Sequence, residues 1–589
     1  MLTALYHSLI KPSGSFLILL LVVLPIACSS NSSSNSPTPY ANTINQMTAS
    51  IQKQLADRGV IGGVSIALVD DQQVVWTKSF GYADAGTRTL ATPDTTYRIA
   101  SVTKTITSTM IMQLYEQGLL DINDPLTRFI PSFAIKTPLG FPAGGPITIR
   151  SILTHHSGIP GDIDNGVFTV APDPDFNTKL AAYLQSEYLT YPTDFIWAYS
   201  NSGVSLLATV IEKASGKSLQ VYSDALFQTL GMDRSSVFMD SPKVSVNMAQ
   251  GYETGQLAPR FYNNGGTTGA IISTIQDMAK FIKMINAGGV GERGRVLNAD
   301  TIEAMLTPQN SGIPLDFDTR IGYLWFLNDA DLAYAGRFCY HEGANTGFRS
   351  YLGILRDHKL GVIVLANDGK VSYDDIAKQT LKLALQEKVG LTPPSPFVPA
   401  YSTPAVWDQA RLDALQGLYV FSEQVYTSPV PYITVKSLAG ALEWTNPDDG
   451  ATVHIVPKAN GWLSAPDSQA MEYEFSEVSG AKVMIAHHNG KTALEASYYS
   501  PPAIPPAWTA RIGTYQATNW NSAIPTVPKN LIVQNGILGF GAYVLVPVSD
   551  NLAYVSGLSR TGGSSMQVLS VPPDDDEEIQ LLGVRYRKN

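Results

Sequence analysis

Up to about residue 390 the chain switches repeatedly between two hydrophobic periods, one near 3.6 residues and one near two. Apolar positions recur at helical spacing from Ile44 through Gln54. Gly63 to Val69 (GVSIALV) then reads as a strand, Asp70-Asp71 as a turn, and Gln73 to Phe80 as the returning strand. A second helical pattern spans Ser101 to Gln117 and stops at Gly118, and a third runs from Val204 to Lys213. Thr274 followed by Asp277 has the form of a capping box, opening a helix that carries Met278, Phe281, Ile282 and Met284. Three strand-like runs come next: Phe338 to His341, Phe348 to Ile354 and Leu360 to Ala366, the last pair turned at Asp357-His358. A helix from about Asp374 to Gln386 closes the region. Strands at both ends with helices between them predict an α+β domain with an antiparallel sheet and a helical subdomain.

Beyond this the pattern changes. Leu391 to Pro404 contains five prolines and reads as a linker. The remainder is almost entirely β-like and looks duplicated. Gly417-Leu418-Tyr419 is echoed by Gly513-Thr514-Tyr515, 96 positions later. Ile433-Thr434-Val435 before Leu438-Ala439-Gly440 is echoed by Leu531-Ile532-Val533 before Asn535-Gly536-Ile537-Leu538. Each copy closes on a tyrosine-bearing strand, at Tyr498 and Tyr586, and Pro501 to Pro506 separates them. The spacing predicts two small all-β, barrel-like domains; the alternative is one larger irregular β domain.

The N-terminus reads as an export signal. Lys11 precedes a short apolar run from Phe16 to Ala27, too short to span a bilayer. Ala27-Cys28 and a Ser/Asn/Pro-rich stretch follow, which resembles a bacterial lipoprotein signal, although Pro25 stands where such signals usually carry Leu. The resemblance implies lipidation of Cys28, a membrane anchor and a periplasmic location, with the outer membrane expected; an ordinary signal peptide or an uncleaved anchor is the alternative. The expected organisation is a signal at 1–28, a tether at 29–42, an α+β domain at 43–390, a linker at 391–406 and β domains at 407–500 and 501–589.

With 589 residues and 44% hydrophobic content the chain has ample material for several cores. A formal net charge of −10 and the lack of a basic run exclude electrostatic binding of nucleic acid. The acidic run Asp574 to Glu578 reads as a solvated loop. Two cysteines, Cys28 and Cys339, make no disulfide framework, and Cys339 reads as a buried free thiol. No His/Cys/Asp/Glu cluster has metal-ligand spacing, and no cofactor or metal is expected.

Candidate chemistry begins at Arg98-Ile99-Ala100-Ser101-Val102-Thr103-Lys104. On a helix Ser101 and Lys104 share a face. A serine hydroxyl needs a neighbouring base to become a nucleophile, and a lysine can serve if its surroundings favour the neutral amine. A serine at a helix N-terminus can also offer its N–H to a developing oxyanion. Tyr199-Ser200-Asn201 lies just before the third helical run; the tyrosine is a candidate base, and the asparagine either orients a substrate carbonyl or caps the helix. His341-Glu342-Gly343-Ala344 ends a strand. The histidine can offer a hydrogen bond or a positive charge, and the glycine is expected to let a substrate backbone approach the strand edge. His155 and His156 read as supports of the site and not as participants.

Ser101-x-x-Lys104, Tyr199-x-Asn201 and His341-x-Gly343 together resemble the three motifs of the penicillin-recognising serine hydrolases, a family that includes class C β-lactamases, D,D-peptidases and D-aminopeptidases. Leu153-Thr154-His155-His156-Ser157-Gly158-Ile159 and the hairpin from Gly63 to Asp84 are similar to further family segments. The resemblance implies a β-lactamase or penicillin-binding-protein fold. It implies an acyl-enzyme at Ser101, proton shuttling by Lys104 and Tyr199, and substrate orientation by Asn201. Backbone N–H groups of Ser101 and Ala344 would form the oxyanion hole. His341 would assist Tyr199 or bind a substrate carboxylate. Most β-lactamases carry Lys where this chain has His341, as D-aminopeptidases do not, and that family branch also carries two small barrels. The expected substrates are therefore D-amino-acid-containing peptides, amides or esters, including cell-wall peptides. A carboxylesterase of the same fold and a non-catalytic cell-wall-peptide or penicillin-binding protein are the rivals.

Overall fold

The computed structural model describes residues 39–137, 144–163, 165–394, 403–422, 431–445, 450–465, 471–488, 490–558, 564–571 and 576–589. The apolar run, Cys28, most of the tether, the middle of the linker and Asp574-Asp575 lie outside these residues.

The region up to about residue 390 is organised on one antiparallel sheet. Its strands are β1 (Gly63–Asp70), β2 (Gln73–Asp84), β3 (Thr89–Leu90), β4 (Arg320–Ile321), β5 (Phe326–Leu327), β6 (Phe338–Asn345), β7 (Phe348–Leu355) and β8 (Leu360–Ala366), in the spatial order β4-β5-β6-β7-β8-β1-β2-β3. The first hairpin thus pairs with the last strand through β1 and β8, with Ile66 opposite Val364. Strand β1 is buried on both faces, which is why its sequence is a nearly continuous apolar run. Val64, Ile66 and Leu68 pack into one core with Met47 and Ile51 of helix α1 (Ala41–Asp57). Ala67 and Val69 pack into the other, with the long helices of the middle of the chain.

Helix α2 (Thr103–Glu116) is the axis of that second core, buried from Thr103 through Met112. Its threonine hydroxyls close on backbone carbonyls, Thr107 Oγ1 donating to Thr267 O at 2.7 Å, so a Thr-rich helix tolerates burial. Around it lie α3 (Phe176–Leu184), α4 (Asn201–Ser215) and α5 (Ile275–Asn286), and α6 (Tyr373–Val389) covers the opposite sheet face beside α1. Thr274 caps α5, accepting from Asp277 N at 3.1 Å. The Asp277 carboxylate does not complete a capping box: it accepts from Arg234 N at 2.7 Å and Ser235 Oγ at 2.9 Å, tying α5 to a distant loop.

Two closed eight-stranded antiparallel barrels follow, from Gly417–Phe421 to Lys491–Tyr499 and from Gly513–Ala517 to Val584–Lys588. Each is preceded by a short helix, Gln409–Asp413 or Pro506–Ala510. In each, the tyrosine of the opening strand reaches back to that helix end: Tyr419 Oη donates to Leu415 O at 3.0 Å and Tyr515 Oη to Arg511 O at 2.8 Å. The acidic run is not a loop throughout. Asp576–Leu581 is a strand, and Glu578 is buried against Arg587, its partner across the ladder, at 3.0 Å. The cross-strand cation supplies what the local sequence lacks.

Candidate active site

Ser101 sits in a 3-10 turn, Ala100–Val102, just before α2 and not inside its first regular turn. Ala100 is fully buried with φ +45, a strained setting for a residue with a Cβ. The surroundings hold it there. Ile99 N donates to Ile271 O at 3.0 Å, and Ile99 O accepts from Ser350 Oγ of β7 at 2.6 Å. Strand β6 crosses so close that a Cβ on Gly343 would lie 2.6 Å from Ile99 O and 2.8 Å from Ser101 N. This replaces the expectation that Gly343 makes room for substrate. The glycine makes room for the backbone that carries Ser101.

Lys104, in the next turn, is fully buried. Its Nζ donates to Ser101 Oγ at 3.2 Å and to Thr268 O at 2.7 Å, and lies 5.0 Å from the centre of the Tyr199 ring. The Tyr199 ring packs at 4.4 Å on His155 and lies parallel to Phe326 at 6.5 Å. The loop before Tyr199 hangs on Asp316, a buried carboxylate that accepts from Trp197 N at 2.6 Å and hydrogen-bonds His156 Nε2 at 2.8 Å, with Asn310 Nδ2 as a third partner. His155 Nδ1 accepts from Ser200 N at 3.1 Å. Both histidines therefore hold the loop in place.

Ser200, not Asn201, caps α4, its Oγ accepting from Gly203 N at 2.9 Å. That leaves the Asn201 amide for the cleft, where Nδ2 donates to Asp162 Oδ1 at 2.7 Å while Oδ1 is buried with no hydrogen-bond partner among the described residues. His341 differs from expectation. It is buried, and burial first, then the nearby Lys104 charge, lower its pKa to about 3. The neutral ring donates from Nδ1 to Glu342 O at 2.6 Å, so Nε2 carries a lone pair. Burial and the Lys104 charge therefore disfavour a positive charge at His341 for a substrate carboxylate. Cys339, on the same strand, is buried and its thiol pushed up to about 12.

In front of these groups lies a cleft of about 690 Å³. Ser101, Asn201 and Ala344 line it together, joined by Asp162, Thr268 and the Glu253–Arg349 ion pair (3.0 Å). One wall is apolar, made by Ile163, Val167, Phe168, Phe176 and Leu180. Lys104 and His341 are buried behind the surface. No group of three or more metal-ligating side chains occurs among the described residues. Sequence reasoning missed Asp162, Asp316 and the Glu253–Arg349 pair. Nothing local distinguishes these two aspartates from solvated ones.

Residues 48–386 match the family described as Beta-lactamase. Among curated proteins, the chain is 24% identical over 435 residues to Beta-lactamase-like protein 2 of Dictyostelium discoideum, covering 66% of this chain and 73% of that one. It is 27% identical over 338 residues to Protein flp of Staphylococcus aureus, covering 55% of this chain and 64% of that protein's length. Among solved structures, the octameric penicillin-binding protein homologue from Pyrococcus abyssi aligns with a TM-score of 0.52 at 24% identity, over 77% of this chain and 99% of the other. SurE with D-Leu aligns with a TM-score of 0.51 at 20% identity and the same coverage. At these identities the two structures establish the shared fold.

Proposed function

This chain belongs to the beta-lactamase family, and on that footing we propose that it is a serine hydrolase acting through an acyl-enzyme on D-amino-acid-containing peptides, amides or esters. The observation that carries the reading is the contact of the buried Lys104 Nζ with Ser101 Oγ at 3.2 Å, at the foot of a cleft that Ser101 lines. Lys104 acts in its deprotonated form, taking the Ser101 proton as Oγ bonds to the acyl carbon. The carbonyl electrons move to oxygen and are met by the N–H groups of Ser101 and Ala344. Tyr199, beside Nζ, relays the proton to the departing amine or alcohol. Water then attacks the ester by the same route in reverse. Asn201 orients the acyl half of the substrate. The neutral His341 acts through its Nε2 lone pair as a hydrogen-bond acceptor for the Tyr199 side of the site.

Support for D-configured substrates comes from His341 in the third motif, from the two barrels and from the neighbour solved with D-Leu. The apolar wall favours a second reading, a carboxylesterase. Turnover of a p-nitrophenyl ester against a D-alanyl anilide separates them. Ser101→Ala is expected to abolish both turnover and labelling by a fluorophosphonate or fluorescent penicillin; full retention of both refutes the acyl-serine reading. A wild-type protein that binds cell-wall peptide without turnover would instead be the non-catalytic rival.

The proposed location is the periplasmic face of a membrane, through lipid on Cys28. Metabolic labelling with a fatty acid, lost in Cys28→Ser, tests this; an unlabelled wild-type protein rejects it.

A further inference from the structure

The second barrel reaches the back of the cleft wall. Leu582 and Gly583, at φ +52 and +81, form the tip of its last hairpin. A Cβ on Gly583 would lie 2.8 Å from Ile163 Cγ2 and 3.6 Å from Asn165 Cβ, and Gly583 N donates to Tyr183 Oη at 2.9 Å. Alongside, Gly166 N donates to Asn521 O at 3.1 Å, Asn521 N to Asn165 Oδ1 at 2.8 Å, and Ala523 N to Phe168 O at 2.6 Å. On its other side the loop is held by the catalytic domain: Phe168–Thr169 pairs with Tyr262–Asn263, and Asn264 Nδ2 donates to Gly166 O at 2.8 Å. The loop is therefore clamped between two domains. Its cleft side carries Ile163, Val167 and Phe168, continued by Phe176 and Leu180 of α3. Ile163 shares one buried apolar cluster with Leu581, Leu582 and Val584 of the barrel.

We propose that this wall is a subsite for an apolar acyl substituent of the substrate, and that the hairpin tip of the second barrel sets its depth. The proposal rests on the reading of Ser101 as nucleophile and Asn201 as the group that orients the acyl half. Ile163 follows Asp162, whose carboxylate holds the Asn201 amide, so the wall stands on the Asn201 side of Ser101. An alkyl or aryl group laid against it leaves water for a surface already rigid from behind. The wall is rigid because its backbone hydrogen bonds run to both domains, and a preformed apolar surface costs little ordering on binding.

The test compares p-nitrophenyl acetate, butyrate and hexanoate with the full-length protein. The leaving group is common to the series and cancels. The wild type is expected to gain up to about fourfold in kcat/KM per buried methylene. Gly583→Ala, which pushes on Ile163 from the barrel side, and Asn165→Ala, which releases the Asn521 bond, are both expected to lower the hexanoate-to-acetate ratio by about fourfold or more, with acetate turnover kept. The second variant guards against misfolding of the first, whose φ of +81 disfavours alanine. A flat wild-type series, or an unchanged ratio in both folded variants, overturns the proposal. Calorimetry on Ser101→Ala with N-acetyl- and N-hexanoyl-glycinamide separates the two readings. A hexanoyl preference there without any wild-type turnover supports the subsite and removes the nucleophile. Equal binding alongside wild-type turnover does the opposite.

Discussion

Gly343→Ala is the perturbation that most directly questions how this site is built. The added methyl carbon would meet Ile99 O at 2.6 Å and Ser101 N at 2.8 Å, besides the Ser350 side chain. Contacts of that kind are not tolerated below about 3.0 Å, so the turn bearing Ser101 must retreat by at least ~0.4 Å, and by ~0.8 Å to reach ordinary contact. The two atoms are backbone, and the turn is also fixed by the Ile99–Ile271 bond, so the displacement falls on Ser101 and not on a flexible side chain. A misplacement of ~1 Å costs on the order of a hundredfold in rate, so a loss of about tenfold in kcat on an activated ester is expected. Overpacking should lower stability by about 1–3 kcal/mol. Labelling of Ser101 by a small fluorophosphonate, followed in time, separates reactivity at Ser101 from substrate binding, and chemical denaturation reads the stability. Ser350→Ala in the Gly343→Ala background removes the side-chain clash together with the Ser350 Oγ–Ile99 O bond, leaves both backbone clashes, and should restore little. Had the glycine served substrate approach, KM would rise while labelling stayed normal. A folded Gly343→Ala protein with wild-type labelling and kcat refutes the steric argument.

Two other outcomes follow from buried groups. His341, with a folded pKa near 3 against about 6.5 when exposed, binds its proton more readily in the unfolded chain. Its contribution to stability is therefore complete above about pH 6.5 and is lost as pH falls toward 3. Denaturation between pH 7 and 4 should show this loss, with a shallower slope in His341→Gln, and the imidazole nitrogens should remain neutral by NMR at pH 5; a charged ring at that pH contradicts the account. Asp316→Ala leaves Trp197 N, His156 and Asn310 without their common acceptor. Each unsatisfied buried group costs about 1–3 kcal/mol, so denaturation should reveal a loss of several kcal/mol together with a lower kcat from a loosened Tyr199. A variant as stable and active as the wild type would show that the carboxylate does not hold this loop.

Much of the molecule follows from the chain alone. The i, i+3 spacing of Ser101 and Lys104, the apolar runs of the sheet, the Thr274 cap and the repeated Gly-x-Tyr openings of the barrels are local. They are fixed by backbone periodicity and by hydrogen bonds a few residues apart, so a reader of the sequence meets them whole. The acidic residues Asp576 to Glu578 show where that reading stops: they form a strand because Asp576 and Glu577 pair with Val571 and Ser570, and Glu578 with Arg587, across ladders that no local pattern announces. Ser200 taking the helix cap, and so freeing Asn201, is likewise a choice between adjacent residues with similar capping ability. The reason for Gly343, the charge of His341, the role of Asp316 and the barrel tip behind Ile163 belong to the tertiary structure. Each depends on steric exclusion or loss of water imposed by segments far apart in sequence. Periodicity encodes which face a residue presents; only packing decides what that face meets, and so whether a carboxylate is held, an imidazole stays neutral or a methyl group fits.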